Sequence, residues 1–166
     1  MNDIASLIAE LKKEGYEVWI AGGATSDQLA ALESALGISL PPSYATFLSI
    51  YGALGLGDRF VSGILGNDAL DQSGGSVLGD TLEFQRHNEF PRGFVVINKH
   101  EDGAFCLDTN HQSQEREYAV VNFEFGSIQH ATPVSLSFHD WLVGFYLYGD
   151  DTPVSLNTSL ERTRER

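Results

Sequence analysis

The segment His100-Glu101-Asp102, followed at short range by Asp108 and His111, is the densest set of potential metal ligands in the chain, since imidazole and carboxylate groups together suit divalent ions. A small metal-dependent hydrolase using His100, Asp102, Asp108 and His111 is the enzymatic reading it offers. Against that reading, Glu101, Asp102 and Gly103 stand where a tight turn is expected, and turns are rich in acidic residues for backbone reasons. The turn reading is preferred, and no metal or other cofactor is assigned. His87-Asn88-Glu89 has the H-x-E spacing of zinc deaminases, but no PCxxC follows and the chain holds a single cysteine, Cys106. It reads as a surface turn. Gly22-Gly23-Ala24 precedes a helix start, a context in which backbone amides hold anions, yet it lacks both the GxGxxG spacing and a basic residue. It reads as a flexible lead into the helix. Gly52, Gly55 and Gly57 follow a helix and are read as its stop and a loop. Nucleophile elbow, P-loop, HExxH and paired CxxC patterns do not occur, so the expectation is a protein without an active site.

The elements that must position these residues follow from periodicity. Ile4, Leu7, Ile8 and Leu11 recur at helical spacing, predicting a helix over about Asp3 to Lys13 that stops near Gly15. Tyr16 to Ile20 alternates as a short strand. Leu29, Leu32 and Leu36 form the apolar face of a second helix, and Tyr44, Phe47, Leu48 and Tyr51 that of a third. Thr25 and Gln28 make a capping box at the start of the second helix, and Gly37 suits the left-handed residue that ends it, with Ile38 folding back on Leu32. Pro41 and Pro42 forbid continuation and permit a new start, because proline lacks only a donor that a first helical turn leaves free. RFVSGIL, Arg59 to Leu65, has strand character. Gly66 to Gly79 is rich in glycine, aspartate and serine and is expected to be a mobile loop, with a short helix from Leu82 or Phe84 to His87. Strands are predicted at Phe94 to Asn98, Ala104 to Asp108 and Tyr118 to Phe123, the first two joined by the turn at Glu101-Asp102-Gly103. Ser137 and Asp140 open a last helix whose Phe138, Trp141, Leu142, Phe145 and Tyr148 share a face. Phe123, Phe125, Trp141, Phe145, Tyr146 and Tyr148 could offer an aromatic binding surface, but such residues are more often core.

A chain of 166 residues with 42% hydrophobic and 20% charged residues fits one domain that buries roughly 70% of its unfolded surface. The domain is expected over residues 1–150, with 151–166 as a solvated tail. No apolar run approaches the ~20 residues of a membrane span, and the first residues lack the order of a signal peptide. With one cysteine, the expected location is the cytoplasm. The 23 acidic and 10 basic residues leave a net charge of −13. Such a surface repels phosphate backbones and steers cationic proteins toward it, so direct nucleic-acid binding is disfavoured, and a basic protein partner accounts for the acidity as well as plain solubility does.

One run of these residues carries a resemblance. Leu32, Glu33, Leu36, Gly37, Leu40, Pro41, Tyr44, Phe47, Leu48, Tyr51 and Gly52 resemble the signature of the SUKH superfamily, Smi/Knr type. The likeness continues in Pro91 to Ile97, in Asp102 to Asp108 and in Ser137 to Leu142, and covers residues 25 to 148 in order. The chain departs from the pattern at Ala53, where a second glycine is usual, and matches only loosely from Leu54 to Asp80. The resemblance implies an α+β single domain: a twisted, mainly antiparallel sheet of about four to six strands, packed by N-terminal helices and a C-terminal helix. It also implies an immunity protein that binds and neutralises a cognate polymorphic toxin, with a regulatory scaffold of cell-wall or signalling type as the alternative. A nuclease toxin presents a basic cleft, so the expected partner contacts are acids around the hairpin and following loops: Glu101, Asp102, Glu115, Glu117 and Glu124, with Asp58 and Asp68. The oligomeric state is left open.

Overall fold

The computed structural model describes residues 4–129 and 131–147. Three helices come first, interrupted by one short strand: α1 (Ile4–Lys13), β1 (Val18–Ile20), α2 (Ser26–Leu36) and α3 (Pro42–Tyr51). The α2–α3 joint keeps the expected cap and stop, but the capping box at Thr25 and Gln28 is half made: the Thr25 amide donates to Asn67 at 2.9 Å, and the Gln28 side chain takes the Ala69 amide at 2.7 Å. Thr25 accepts from the Gln28 amide at 3.3 Å, Gly37 adopts φ 70°, and the amides of both Gly37 and Ile38 return to the Glu33 carbonyl. The Glu33 side chain then takes up the Leu40 amide at 3.0 Å, so one residue satisfies three donors of the joint. Pro42 opens α3 in its first turn. Leu32, Tyr44 and Leu48 are fully buried at the contact, each such side chain contributing about 1.5–3 kcal/mol.

Among the described residues the strands form two antiparallel sheets, which with the helices make the expected α+β domain. The smaller has the order β1-β2-β3, with β2 at Leu54–Leu56 and β3 at Arg59–Val61. The expected loop across Gly55 is therefore a strand, fixed by pairing with distant residues: Val18 opposite Leu56, and Leu54 opposite Val61. The larger is a meander, β4 (Phe94–His100), β5 (Gly103–Gln112), β6 (Tyr118–Glu124) and β7 (Ala131–Ser135). Its first three strands match expectation. β7 was not foreseen; it is an edge strand containing Pro133, and proline is tolerated in a sheet only at such positions. A bulge in β4 skips Ile97 in the pairing with β5, and its carbonyl accepts instead from the Ser62 amide at 2.7 Å. That bond ties the two sheets together.

The Gly66–Gly79 segment, expected as a mobile loop, is tied down at several points and already contains a helix start. Asp68 and Asp71 bond the backbone two residues ahead, Val77 donates to Gly63 at 2.8 Å, and Ser76 caps α4 (Val77–Gln85) through the Gly79 amide. Ser137 likewise caps α5 (Phe138–Trp141), which continues as a π-helical turn over Leu142–Leu147. Phe138 meets Tyr44 and Phe47 at centroid distances of 4.8 and 5.0 Å, docking α5 on α3. The expected extension of this face to Phe145 and Tyr148, and the tail at 151–166, lie outside what the structure describes. The main core lies between the helices and the sheets, and a second cluster of Phe84, Phe90, Phe94, Val96, Cys106, Val121 and Phe123 fills the opposite face of the meander. Among the described residues no helix is long and apolar enough to cross a membrane.

Candidate functional site

Inside the fold, one polar cluster stands out. Asp80, 1% exposed, accepts from Ser62 Oγ at 2.6 Å and from the Gly75 amide at 3.2 Å, and pairs with Lys99 Nζ at 3.1 Å. Lys99 also reaches Glu83 at 3.3 Å. Burial pulls the Lys99 ammonium toward the neutral form, but the hydrogen bond and charge of Asp80, with Glu83, outweigh it and raise its pKa above the ordinary value. Tyr44 donates its hydroxyl to the Ser62 carbonyl at 2.7 Å, and burial, then the charge of Asp80, holds its phenol well above the usual range. Burying a carboxylate is costly unless it is paired and hydrogen-bonded, and here Asp80 of α4 is joined to the residue after β3, the loop before α4, and β4. Ser62 is itself 1% exposed, so its hydroxyl faces no substrate. The cluster clamps elements together.

The His100 group does not assemble. His100 Nε2 lies 2.7 Å from Asn122 Oδ1, and its Nδ1 accepts from the Asp102 amide at 3.2 Å. Asp108 pairs across from Phe94 at the far end of β4 and accepts from the amide and side chain of Asn110. Five strand positions separate Gly103 from Asp108, roughly 17 Å at the usual rise. Among the described residues no three His, Cys, Asp or Glu side chains are placed to hold a metal ion. His87 is an exposed turn residue whose ring lies 4.9 Å from that of Phe125. Gly22-Gly23 serves packing, not anion binding: the Gly22 amide donates to Tyr51, and a Cβ at Gly23 would overlap the Ser49 carbonyl. Of the aromatic set, Phe123 and Trp141 are core and Phe125 is 39% exposed.

The seven acids expected to meet a partner divide by position. Glu101 and Asp102 form the exposed β4–β5 turn, and Glu124, whose carboxylate accepts from the Asn122 side chain at 2.9 Å, pairs opposite Gly103, so the three acids lie at one end of the meander. Phe125 fastens that end by donating its amide to the Asp102 carbonyl at 3.0 Å. Glu115 is exposed on the β5–β6 turn at the other end, roughly 30 Å along the strand direction. Glu117 beside it has both oxygens engaged by α3, taking the Ser43 amide at 2.9 Å and the Ser43 hydroxyl at 2.6 Å. It caps that helix, a task its spacing gave no sign of. Asp68 is exposed and holds the Leu70 amide. Asp58 lies apart from all of these, in the β2–β3 turn.

Asp58 edges a surface groove of about 560 Å³ on the small sheet, whose other lining includes Glu17, Trp19, Arg59 and Phe60. The inward residues of this sheet, Leu54, Leu56 and Val61, are core, whereas Trp19 on the outer face is 51% exposed and stacks on Phe60 at 5.7 Å. Burial of one face leaves the other free to present these rings. Neither ring was singled out from sequence, because each sits alone in its own short strand and only the fold brings the two together.

A SUKH-type family model described as SMI1-KNR4 cell-wall matches residues 4–147. The uncharacterized protein YnaB of Bacillus subtilis (strain 168) is 25% identical over 134 residues, which span 81% of this chain and 78% of that protein.

Proposed function

The chain belongs to the SUKH family of the SMI1-KNR4 type, and from that membership we propose that it is a non-enzymatic immunity protein, binding one cognate toxin and blocking it stoichiometrically. The toxin is a basic protein, in the simplest case a nuclease whose nucleic-acid cleft the acidic protein covers. The observation that carries this reading is the convergence of Glu101, Asp102 and Glu124 at one exposed end of the meander in a chain of net charge −13. Glu33, Asp80 and Glu117 hold the fold together through buried or part-buried hydrogen bonds. The turn carboxylates instead project into solvent, where they accelerate encounter with a cationic partner and oppose nucleic acid. On this reading the protein acts in the cytoplasm, needs no cofactor and does not engage a membrane.

The cell-wall wording of the family description supports a second reading, a regulatory scaffold. One experiment separates the two. The tagged protein is isolated from its own cells and the co-purifying protein is identified. Immunity predicts a basic protein in one-to-one ratio, toxic to cells when expressed alone. Recovery without such a protein, or with a non-toxic cell-wall or signalling component, overturns it.

A further inference from the structure

The outer face of the small sheet is built around a missing side chain. Trp19, Gly55 and Phe60 lie directly opposite one another on β1, β2 and β3, so the two rings meet over the glycine, their planes 29° apart. A Cβ on Gly55 would sit 3.4 Å from Trp19 Cβ and 3.6 Å from Phe60 Cδ2, so the rings cover the glycine closely. Behind Phe60 the backbone of Gly75, at φ 93°, approaches so near that a Cβ there would lie 2.9 Å from the ring. Phe60 is thus packed between Gly75 and Trp19, which limits the orientations that its ring must give up when a partner binds. Carboxylates stand beside it: Glu17, just ahead of β1, and Asp58, in the β2–β3 turn, both line the groove.

We propose that this groove seats a basic side chain, an arginine, presented by the protein partner. The inference rests on the reading that the protein works by binding another protein, and it names the contact. A guanidinium is planar, stacks on an indole face, and donates in a fork that carboxylates on either side accept. The groove offers that combination: a half-exposed indole, a buttressed second ring, and two acids against the single base Arg59. The net charge of −13 draws in a cationic segment and opposes an anionic one. Partly exposed tryptophans on rigid supports are the usual energetic centres of protein interfaces. The carboxylates at the meander end then steer, and the groove on the small sheet anchors.

The test uses the full chain and an acetylated, amidated tri-arginine peptide, with the tri-citrulline peptide as a neutral isostere, followed by amide and indole NMR shifts. The expected result is a response at Glu17 to Trp19, Gly55 and Asp58 to Phe60, including the Trp19 indole N–H. Affinity falls about tenfold or more in Trp19→Leu and with the citrulline peptide. Glu17→Gln with Asp58→Asn keeps the rings and weakens binding as well, which separates lost recognition from lost folding. Shifts confined to Glu101, Asp102 and Glu124, or equal affinity in Trp19→Leu, overturn the proposal. So does a dimer that forms through the same residues without peptide. An intact groove response combined with a natural partner that is not a toxin defeats the immunity reading alone.

Discussion

Replacing Asp80 with alanine tests whether the buried polar cluster is a clamp. The carboxylate is 1% exposed and holds three donors: Ser62 Oγ, the Gly75 amide and Lys99 Nζ. Alanine leaves the Ser62 hydroxyl, itself 1% exposed, without its acceptor, at about 1–3 kcal/mol. Breaking a buried ion pair from one side costs about 3–5 kcal/mol, but the Lys99 side chain is 37% exposed and can turn to Glu83 and water, so its share falls well below that range. The total is about 3 kcal/mol, a large part of the ~5–15 kcal/mol that holds a domain together. For a chain of this size that lowers Tm by roughly 10 °C. Asp80→Asn keeps an acceptor for Ser62 and loses only the charge, at about 1–2 kcal/mol. Lys99→Met costs less than either. Urea titration followed by tryptophan fluorescence gives all three values, because Trp141 is 1% exposed and reports unfolding. A loss below about 1 kcal/mol for Asp80→Ala, or a larger loss for Lys99→Met, refutes the clamp. At a temperature where Asp80→Asn stays folded, its affinity for the co-purifying partner equals that of the unaltered protein; a drop in affinity without a drop in stability contradicts a purely internal role.

Other outcomes follow from the same contacts. Glu117→Ala removes the acceptor of both Ser43 donors and lowers stability by about 1–2 kcal/mol, and a double-mutant cycle with Ser43→Ala returns only the hydroxyl's share as coupling, because the Ser43 amide stays in place; zero coupling would show that hydroxyl and carboxylate do not interact. Gly63→Ala places a Cβ on the Gly52 carbonyl oxygen, a backbone atom that cannot turn away, and the variant is expected to be insoluble or to melt at least 10 °C lower, roughly 3 kcal/mol or more, whereas Gly57→Ala meets no neighbour and loses only through its positive φ. Burial pushes the Cys106 thiol far above its ordinary pKa, so a disulfide reagent at pH 8 reacts only as fast as the protein unfolds; prompt labelling of the native protein would contradict the second core. Tyr44 and Lys99 both have folded pKa values above their ordinary 10.0 and 10.5, so the stability they contribute is complete below those values and lost as pH rises through the folded ones. Stability should therefore fall above about pH 10, with Tyr44 ionising only on unfolding as read by phenolate absorbance, and a rise in stability there would contradict the assignment.

Local signals carried much of this fold into the sequence. The α2–α3 joint was legible because Thr25, Gly37 and the proline pair each act through their own backbone within a few residues. The β4–β6 meander was legible because turn residues separate apolar runs. What failed to show was non-local. Leu54-Gly55-Leu56 reads as a loop until Val18-Trp19-Ile20 pairs with it, and β7 carries a proline that only an edge permits. The stretch around Asp80 looked like solvent-exposed loop because its glycines, serines and aspartates are the residues of turns; their burial depends on β3 and β4 closing over them. The acids of the β4–β5 turn were visible from sequence, while Glu117 looked the same and proved to be a helix cap, since charge does not announce which carboxylates the fold itself engages. Trp19 and Phe60 lay unremarked because an aromatic platform exists only once two strands align across a glycine.

The family signature and the proposed contacts therefore occupy different parts of the molecule: Leu32, Tyr44, Phe47 and Leu48 are core, while the meander end and the small-sheet groove face outward. The claim that binding alone is the activity is tested most directly by titrating the co-purified partner's toxic activity with this protein in the presence of a chelator. Stoichiometric inhibition predicts a linear fall to zero at one equivalent, with no further change over time and an approach to binding that slows as salt is raised. Loss of the partner's activity at far below one equivalent, continuing with time, would show turnover and contradict it.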